Sequence, residues 1–151
     1  MSFTIVTDTS ANLPLELARE EKIEILNLQC NMSGVEKCQS YLDADSFDSK
    51  AFYDAMRAGA KVTTSQINPQ SYVDCMEKHL KEGRDILFVG MSSGISGSFN
   101  SARIAAEQLR EEYPGRTIRL IDSLGASLGE GLLAVEAIDW RRDGKSVDET
   151  A

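Results

Sequence analysis

The chain has little of what several classes of protein depend on. No stretch approaches the roughly 18 consecutive apolar residues of a membrane span, and Met1 to Thr7 carry no basic segment followed by a long apolar run. Neither a secretory leader nor stable membrane insertion is read from it, and a cytoplasmic location is expected. The three cysteines, Cys30, Cys38 and Cys75, are odd in number, far apart and without a Cys-x-x-Cys pair. That excludes a disulfide framework and gives no zinc spacing, so they read as small core or half-buried residues. Positive charge is scarce: 16 Lys and Arg stand against 24 Asp and Glu, a formal net charge of −8. Such a surface opposes the phosphate attraction behind most nucleic-acid affinity, so no nucleic-acid partner is expected. A local anion site stays open, because N–H groups at helix starts attract anions whatever the global charge.

What is present suits one globular domain with its own core: 151 residues, of which 42% are hydrophobic and 26% charged. Four β-rich runs, Phe3 to Thr7, Ile23 to Leu28, Asp85 to Val89 and Thr117 to Ile121, alternate with longer helical patterns. The alternation predicts an α/β fold, a mostly parallel sheet with helices on both faces. Ile86 to Val89 and Ile118 to Ile121 are almost wholly apolar, as strands covered on both sides should be.

Helix starts carry their own chemistry. Asn68 followed by Pro69 predicts a capped helix through Tyr72, Val73, Met76 and Leu80 to Gly83. Ser96 or Ser98 is placed to cap another, with Ile104, Ala105 and Leu109 at helical spacing before Pro114. Further helices are expected from about Ser46 to Met56 and from Gly129 to Arg142. Ser146 and Glu149 form a Ser-x-x-Glu capping box with two residues after it. Residues 1–145 are therefore read as an α/β domain, and 146–151 as the start of a helix leading to a second domain of a longer polypeptide.

In open α/β sheets, ligands bind beyond the carboxyl ends of the strands. Gly90 to Ser98 packs four serines and three glycines into nine positions between a strand and a helix. Glycines admit close backbone approach, and serine hydroxyls add donors without charge, which suits an anion. The plain alternative is a tight self-bonded turn, but one cap needs one hydroxyl. Thr63, Thr64, Ser65 and Gln66 before the proline-capped helix repeat the pattern as a second polar loop. Asp8, Thr9 and Ser10 read as a cap and turn cluster, with Asp8 able to orient hydroxyls of a neighbouring loop. Asp122, Gly125, Gly129 and Gly131 make a weak nucleotide fingerprint, lacking the Gly-x-Gly-x-x-Gly order; close helix packing suits these glycines better.

Two other functions remain open. Gly90, Met91, Ser92, Ser93 and Gly94 satisfy Gly-x-Ser-x-Gly, which would make Ser92 the nucleophile of a serine hydrolase. The single histidine, His79, precedes that serine and sits in what reads as a solvated helix face, so no triad is completed. The second is a phosphate- or nucleotide-binding α/β domain.

Taken in order, Val6 to Pro14, then Thr64, Ser65, Gln66 and Pro69, then Ser92 to Ser98 with Ala102, and finally Asp122, Gly129 and Gly131, resemble the amino-terminal domain of the DegV family of fatty-acid-binding proteins. That family includes the acyl-carrier subunits of bacterial fatty-acid kinase. The resemblance implies a two-domain protein holding a long-chain fatty acid such as palmitate, with no other cofactor and no metal, and presenting it to a kinase subunit without catalysing a reaction. It assigns the carboxylate to the hydroxyls of Thr64 and Ser93, with Thr63, Ser65 and Ser96 as further candidates. Ile67 and Asn68 stand where many relatives have Pro and Ser, which keeps the helix cap. Burying about 14 methylenes at ~0.8 kcal/mol each gives a gross ~11 kcal/mol, so the tail would supply most of the affinity and the hydroxyls its orientation.

Overall fold

The computed structural model describes residues 3–33 and 47–151. In chain order these form β1 (Thr4–Asp8), a 3-10 turn (Thr9–Ala11), α1 (Leu15–Glu20), β2 (Glu24–Leu26), β3 (Gln29–Met32), α2 (Ser49–Arg57), β4 (Val62–Ser65) and α3 (Pro69–Lys81). They continue with β5 (Ile86–Gly90), α4 (Ser98–Glu112), β6 (Ile118–Asp122), α5 (Leu128–Arg142) and the short α6 (Val147–Thr150).

The four expected strands pair in parallel, in the order β2-β1-β5-β6. Side chains alternate across a strand, and the sequence uses both sides. Val6, Ile86, Phe88 and Ile118 face a layer containing Tyr72, Met76 and Leu80 of α3 and Ala102, Ala105, Ala106 and Leu109 of α4. Ile5, Leu87 and Val89 face the opposite way, onto Ala134, Ala137 and Ile138 of α5 with Leu13 and Ala18. Ile104, expected among the buried positions of α4, is exposed, and the small Ala102, Ala105 and Ala106 make that contact instead. Ala102, Ala105, Ala106 and Leu109 recur at i, i+3, i+4 and i+7, a stripe that leaves Ile104 on the outer face.

The caps act as the sequence suggests. Asn68 Oδ1 accepts the Ser71 N–H at 2.9 Å, and Pro69 opens α3. Ser146 and Glu149 cap one another reciprocally at α6. Helix α2 is capped by Asp48; its expected start at Ser46 and the expectation for Cys38 lie outside the described residues. Cys30 and Cys75 are half-buried, and burial pushes the Cys75 thiol up to about 12. No described helix is long and apolar enough to cross a membrane.

Two strands were not legible. Gln29–Met32 and Val62–Ser65 pair antiparallel as a separate two-stranded ribbon, with Cys30 opposite Thr64 and Gln29 opposite Ser65. The Thr63–Ser65 segment is thus a strand rather than a loop at a helix start. The donor of α3's first turn is met by Asn68, leaving the threonines no part in that cap.

Candidate ligand-binding site

The register of β5 on β6 sets Gly90 beside Asp122, so the loops that follow leave the sheet at one point. They are bonded together from there. Ser92 N–H donates to the Gly125 carbonyl at 2.8 Å, and Ser123 N–H to the Gly90 carbonyl at 3.1 Å. Ser93 is fixed most firmly: its hydroxyl donates to Asp122 Oδ2 at 2.5 Å and its N–H to Oδ1 at 3.1 Å. The Ser93 hydrogen bond, first among its causes, holds the Asp122 carboxyl below the usual range, so this loop contains a carboxylate anion.

Much of the serine-rich loop satisfies itself. Ser92 Oγ accepts the Gly94 N–H at 3.2 Å, and its carbonyl accepts those of Ile95 and Ser96. Ser96 Oγ accepts the Ser98 N–H at 3.1 Å and donates to Ser98 Oγ at 3.0 Å. The expected outward array of backbone donors is therefore mostly folded inward. What remains is the start of α4, whose cap is Gly97 and so offers no side chain to the first-turn N–H groups.

The second segment is joined to the first through its own end. Ser98 Oγ accepts the Ile67 N–H at 3.2 Å, and a Cβ on Gly97 would stand 2.0 Å from Gln66 Oε1. The connector from β4 to α3 thus lies against the α4 entrance, with the tip of the Gln66 side chain in the space a Cβ at Gly97 would take. On β4, alternation separates the hydroxyls. Thr64 shares a face with Val62, Cys30 and Met32, whereas Thr63 and Ser65 share the exposed opposite face with Gln29 and Asn31. Ser65 donates to Gln29 Oε1 at 3.2 Å. No described residue pairs with the hydroxyl of Thr63 or Thr64. Thr64 is the hydroxyl at the end of the ribbon's apolar face; Thr63 and Ser65 point the other way.

Beneath these loops lies a buried acid that sequence reading passed over. Glu130, in the first turn of α5, is fully buried and accepts hydrogen bonds from Thr7 Oγ1 at 3.1 Å and from Ser10 Oγ. Burial, first among the causes, pushes its carboxyl up to about 7, with the nearby Asp8 charge adding to the rise. Asp8, equally buried, accepts the Ser10 N–H at 2.8 Å and the Met91 N–H at 3.4 Å. It thus caps its own turn and also tethers the loop after β5. Gly131 allows this approach: a Cβ there would sit 2.4 Å from the Ala11 carbonyl oxygen. Gly129 meets nothing within 4 Å, so close packing explains the one glycine and not the other. Tyr72, packed edge-on against Phe88, brings a buried hydroxyl with no hydrogen-bond partner among the described residues, its pKa raised first by burial and then by Asp8.

His79 is not on a solvated face. It is 5% exposed; Arg84 donates to its Nδ1 at 2.7 Å, and Nε2 lies 3.1 Å from Glu24 Oε1. A guanidinium only donates, so the ring proton sits on Nε2. Glu24 opens β2 and Arg84 precedes β5, which puts His79 at the amino end of the sheet, away from Ser92 at the carboxyl end. Ser92 also lacks the positive φ of a strained strand-to-helix nucleophile turn. The residues of a serine-hydrolase triad are not assembled here.

The two hydroxyl-bearing segments meet near the carboxyl ends of the parallel strands, the place where open α/β sheets generally bind their ligands. The chain belongs to the DegV family, whose profile matches residues 2–151. A DegV domain-containing protein of Clostridium perfringens is 40% identical over 151 residues, covering 97% of this chain and 50% of that protein. Among solved structures, a fatty-acid-binding DegV family protein from Thermus thermophilus superposes with a TM-score of 0.81 at 28% identity, covering 99% of this chain and 51% of the other. DegV of Bacillus subtilis, described as a fatty acid binding protein, gives a TM-score of 0.79 at 27% identity over 99% and 51%. The chain spans about half the length of these relatives.

Proposed function

We propose that the chain binds a long-chain fatty acid by its carboxylate, as a carrier rather than a catalyst. The observation that carries this reading is the tie between the two polar segments: Ile67 and Gln66 at the end of β4 lie against Gly97 and Ser98 of the serine-rich loop. The likeness to two fatty-acid-binding DegV structures supports the choice of an acyl carboxylate over a phosphate or nucleotide.

Thr64 and Ser93 are the head-group ligands in this reading, with the α4 entrance as a backbone donor. Ser93 has one hydroxyl proton, and Asp122 holds it. A bound carboxylate takes over that proton by rotation about the Cβ–Oγ bond, while the two backbone N–H groups bonded to Asp122 keep the loop in place. Ser96 sits behind, fixing Ser98. Thr63 and Ser65 lie on the other face of the ribbon and contribute to its pairing.

Small molecules extracted from the natively purified protein and identified by mass spectrometry test the reading. A long-chain fatty acid is expected, and Ser93→Ala with Thr64→Val should strip it while circular dichroism stays unchanged. Unaltered lipid content in that double variant removes both residues from the site. A carboxylate held in this way is available to a fatty-acid kinase subunit; transfer of phosphate to the loaded acid in a mixture with such an enzyme is the test of that partner.

A further inference from the structure

Two wholly buried carboxyl groups, Asp8 and Glu130, lie under the ligand site with no cation beside them. No Lys or Arg occurs in residues 4–18, 90–102 or 121–140, which hold β1 and its turn, the serine-rich loop, and the loop and helix after β6. The groups that face Glu130 are the Thr7 hydroxyl and Asp8 of β1, the Ser10 hydroxyl of the turn, and Tyr72 of α3, which burial keeps a neutral phenol. Two neighbouring buried carboxyls without a counter-charge do not both ionise readily, and burial with the Asp8 charge raises Glu130 to about 7. The proton has a place there: Glu130 Oε2 faces Ser10 Oγ, and a hydroxyl accepts as well as donates.

This pair is wired to the ligand loop by two routes. Asp8 Oδ2 accepts the N–H of Met91, two residues before Ser93, at 3.4 Å. Glu130 holds the start of α5 against the turn after β1, and the segment leading into α5 holds the serine-rich loop, since the Gly125 carbonyl accepts the Ser92 N–H at 2.8 Å. The closure is not relaxed. Ser127, which caps α5, has a φ of 57°, in the region that favours glycine, and Asn12 Nδ2 holds its hydroxyl at 2.9 Å. The α5 entrance is therefore kept shut by side-chain bonds to the turn, among which those to Glu130 are the buried ones.

We infer that Glu130 makes carboxylate binding proton-linked: the protein takes up a proton at Glu130 as the negative head group arrives beside the loop after β5, and returns it to solvent as the ligand leaves. This rests on the proposed fatty-acid reading, because it needs an anion at Ser93. The sign follows from electrostatics. A carboxylate at the loop is a further negative charge near Glu130, acting in the same direction as Asp8, so it favours the protonated form. Linkage is reciprocal, so the protonated form binds the carboxylate more tightly by the same factor. With Glu130 titrating near neutrality, affinity falls as pH rises from 6 to 8. Glu130 touches no ligand atom; it is a positioning residue that acts through Asp8 and the α5 entrance.

The test is titration of the whole chain with a fluorescent dodecanoate, kept below its aggregation limit, at pH 6, 7 and 8, for the wild type, Glu130→Gln and Ser93→Ala. The probe's own carboxyl titrates at about 4–5 and stays ionised throughout. Wild-type binding is expected to weaken by roughly three- to tenfold from pH 6 to pH 8, the scale of repulsion between two like charges across a protein loop. Glu130→Gln, neutral at every pH, should hold the affinity of pH 6 over the whole range. Calorimetry of the wild type at pH 7 in buffers of different ionisation enthalpy should show net proton uptake on binding, a readout that needs no variant to fold. Wild-type affinity that stays flat or rises with pH overturns the inference, as does a slope that survives in Glu130→Gln or a net release of protons. In each of those cases a loss of binding in Ser93→Ala leaves the fatty-acid reading standing. Binding insensitive to Ser93→Ala, or absent from the wild type at every pH, overturns both.

Discussion

The Ser93 hydroxyl donates to Oδ2 of Asp122 at 2.5 Å, while Oδ1 of the same carboxylate accepts the N–H groups of Ser93 and Leu124 at 3.1 and 3.2 Å. Three donors from two loops thus converge on one side chain, which adds to the backbone bonds from Ser92 to Gly125 and from Ser123 to Gly90 in joining the loops after β5 and β6.

Asp122→Ala should therefore cost about 0.5–1.5 kcal/mol, the net worth of hydrogen bonding whose donors stay open to water. The sign with pH follows from the lowered carboxyl pKa. A depressed folded-state pKa stabilises the fold above the unfolded value, 3.8, and that contribution is lost as pH falls through the folded value. Urea midpoints at pH 7 and through the acid range should show the variant weaker at neutral pH and less sensitive to acid than the wild type. Equal stability at pH 7 would mean that the loops are held by other contacts.

Glu130 predicts the opposite slope. Its carboxyl is raised to about 7 from 4.5, so the folded protein holds a proton that the unfolded chain releases. Stability from this group is complete below 4.5 and declines as pH rises toward 7. Glu130→Gln keeps the shape and removes the charge, so it should flatten that decline and leave the acid-side stability nearly unchanged. His79 works in the other direction: burial lowers its pKa from 6.5, so stability falls as the solution is acidified below that value. Denaturation curves on Glu130→Gln, His79→Asn and the pair separate the two slopes.

Which parts of this were legible in the sequence follows from how local their causes are. The runs Ile86 to Val89 and Ile118 to Ile121 are apolar on both faces, and Asn68-Pro69 and Ser146-Glu149 are caps complete within four residues, so strands and helix starts were readable. Strands β3 and β4 were not. Their pairing joins residues 30 or more positions apart, as with Gln29 and Ser65, and Thr63, Thr64 and Ser65 favour turns as readily as strands. Glu130, between two glycines at a helix start, was not singled out, because its burial depends on the turn after β1 closing over it. The serine-rich loop was recognised as special, but not that Ser92 and Ser96 would spend their hydroxyls inside it. The aspartate that commands Ser93 was visible only as part of a weak glycine pattern.

Gly131→Ala tests the contact that closes over Glu130. The new Cβ would stand 2.4 Å from the Ala11 carbonyl oxygen, a backbone atom that cannot swing aside. Overpacking of this kind costs about 1–3 kcal/mol, against the gain in helix propensity of up to ~1 kcal/mol that alanine brings elsewhere. A net loss in thermal midpoint is expected, accompanied by a change in the pH dependence assigned to Glu130, since α5 must move away from Thr7 and Ser10. Gly129→Ala, two residues earlier with nothing within 4 Å, serves as the control and should be neutral or stabilising. Identical effects at the two positions would remove the close approach as the reason for Gly131.

Gly97→Ala separates the site from the fold. Its Cβ would meet Gln66 Oε1 at 2.0 Å, but that atom is the tip of a flexible side chain, so the collision is relieved by displacing the glutamine. The stability cost should stay under ~1 kcal/mol, within what a surface rearrangement costs. Gln66 belongs to the connector that carries Thr64, and Gly97 caps the helix entrance beside the serine-rich loop. If Thr64 and Ser93 hold one carboxylate, pushing the connector outward should weaken fatty-acid binding several-fold at nearly constant stability. Gln66→Ala empties the space the new methyl needs, so the double variant Gln66→Ala/Gly97→Ala should recover binding relative to Gly97→Ala alone. Titration with a fluorescent fatty acid reads this directly. A Gly97→Ala variant that binds like the wild type, or a double variant that binds no better than the single, would show that the two segments serve different sites.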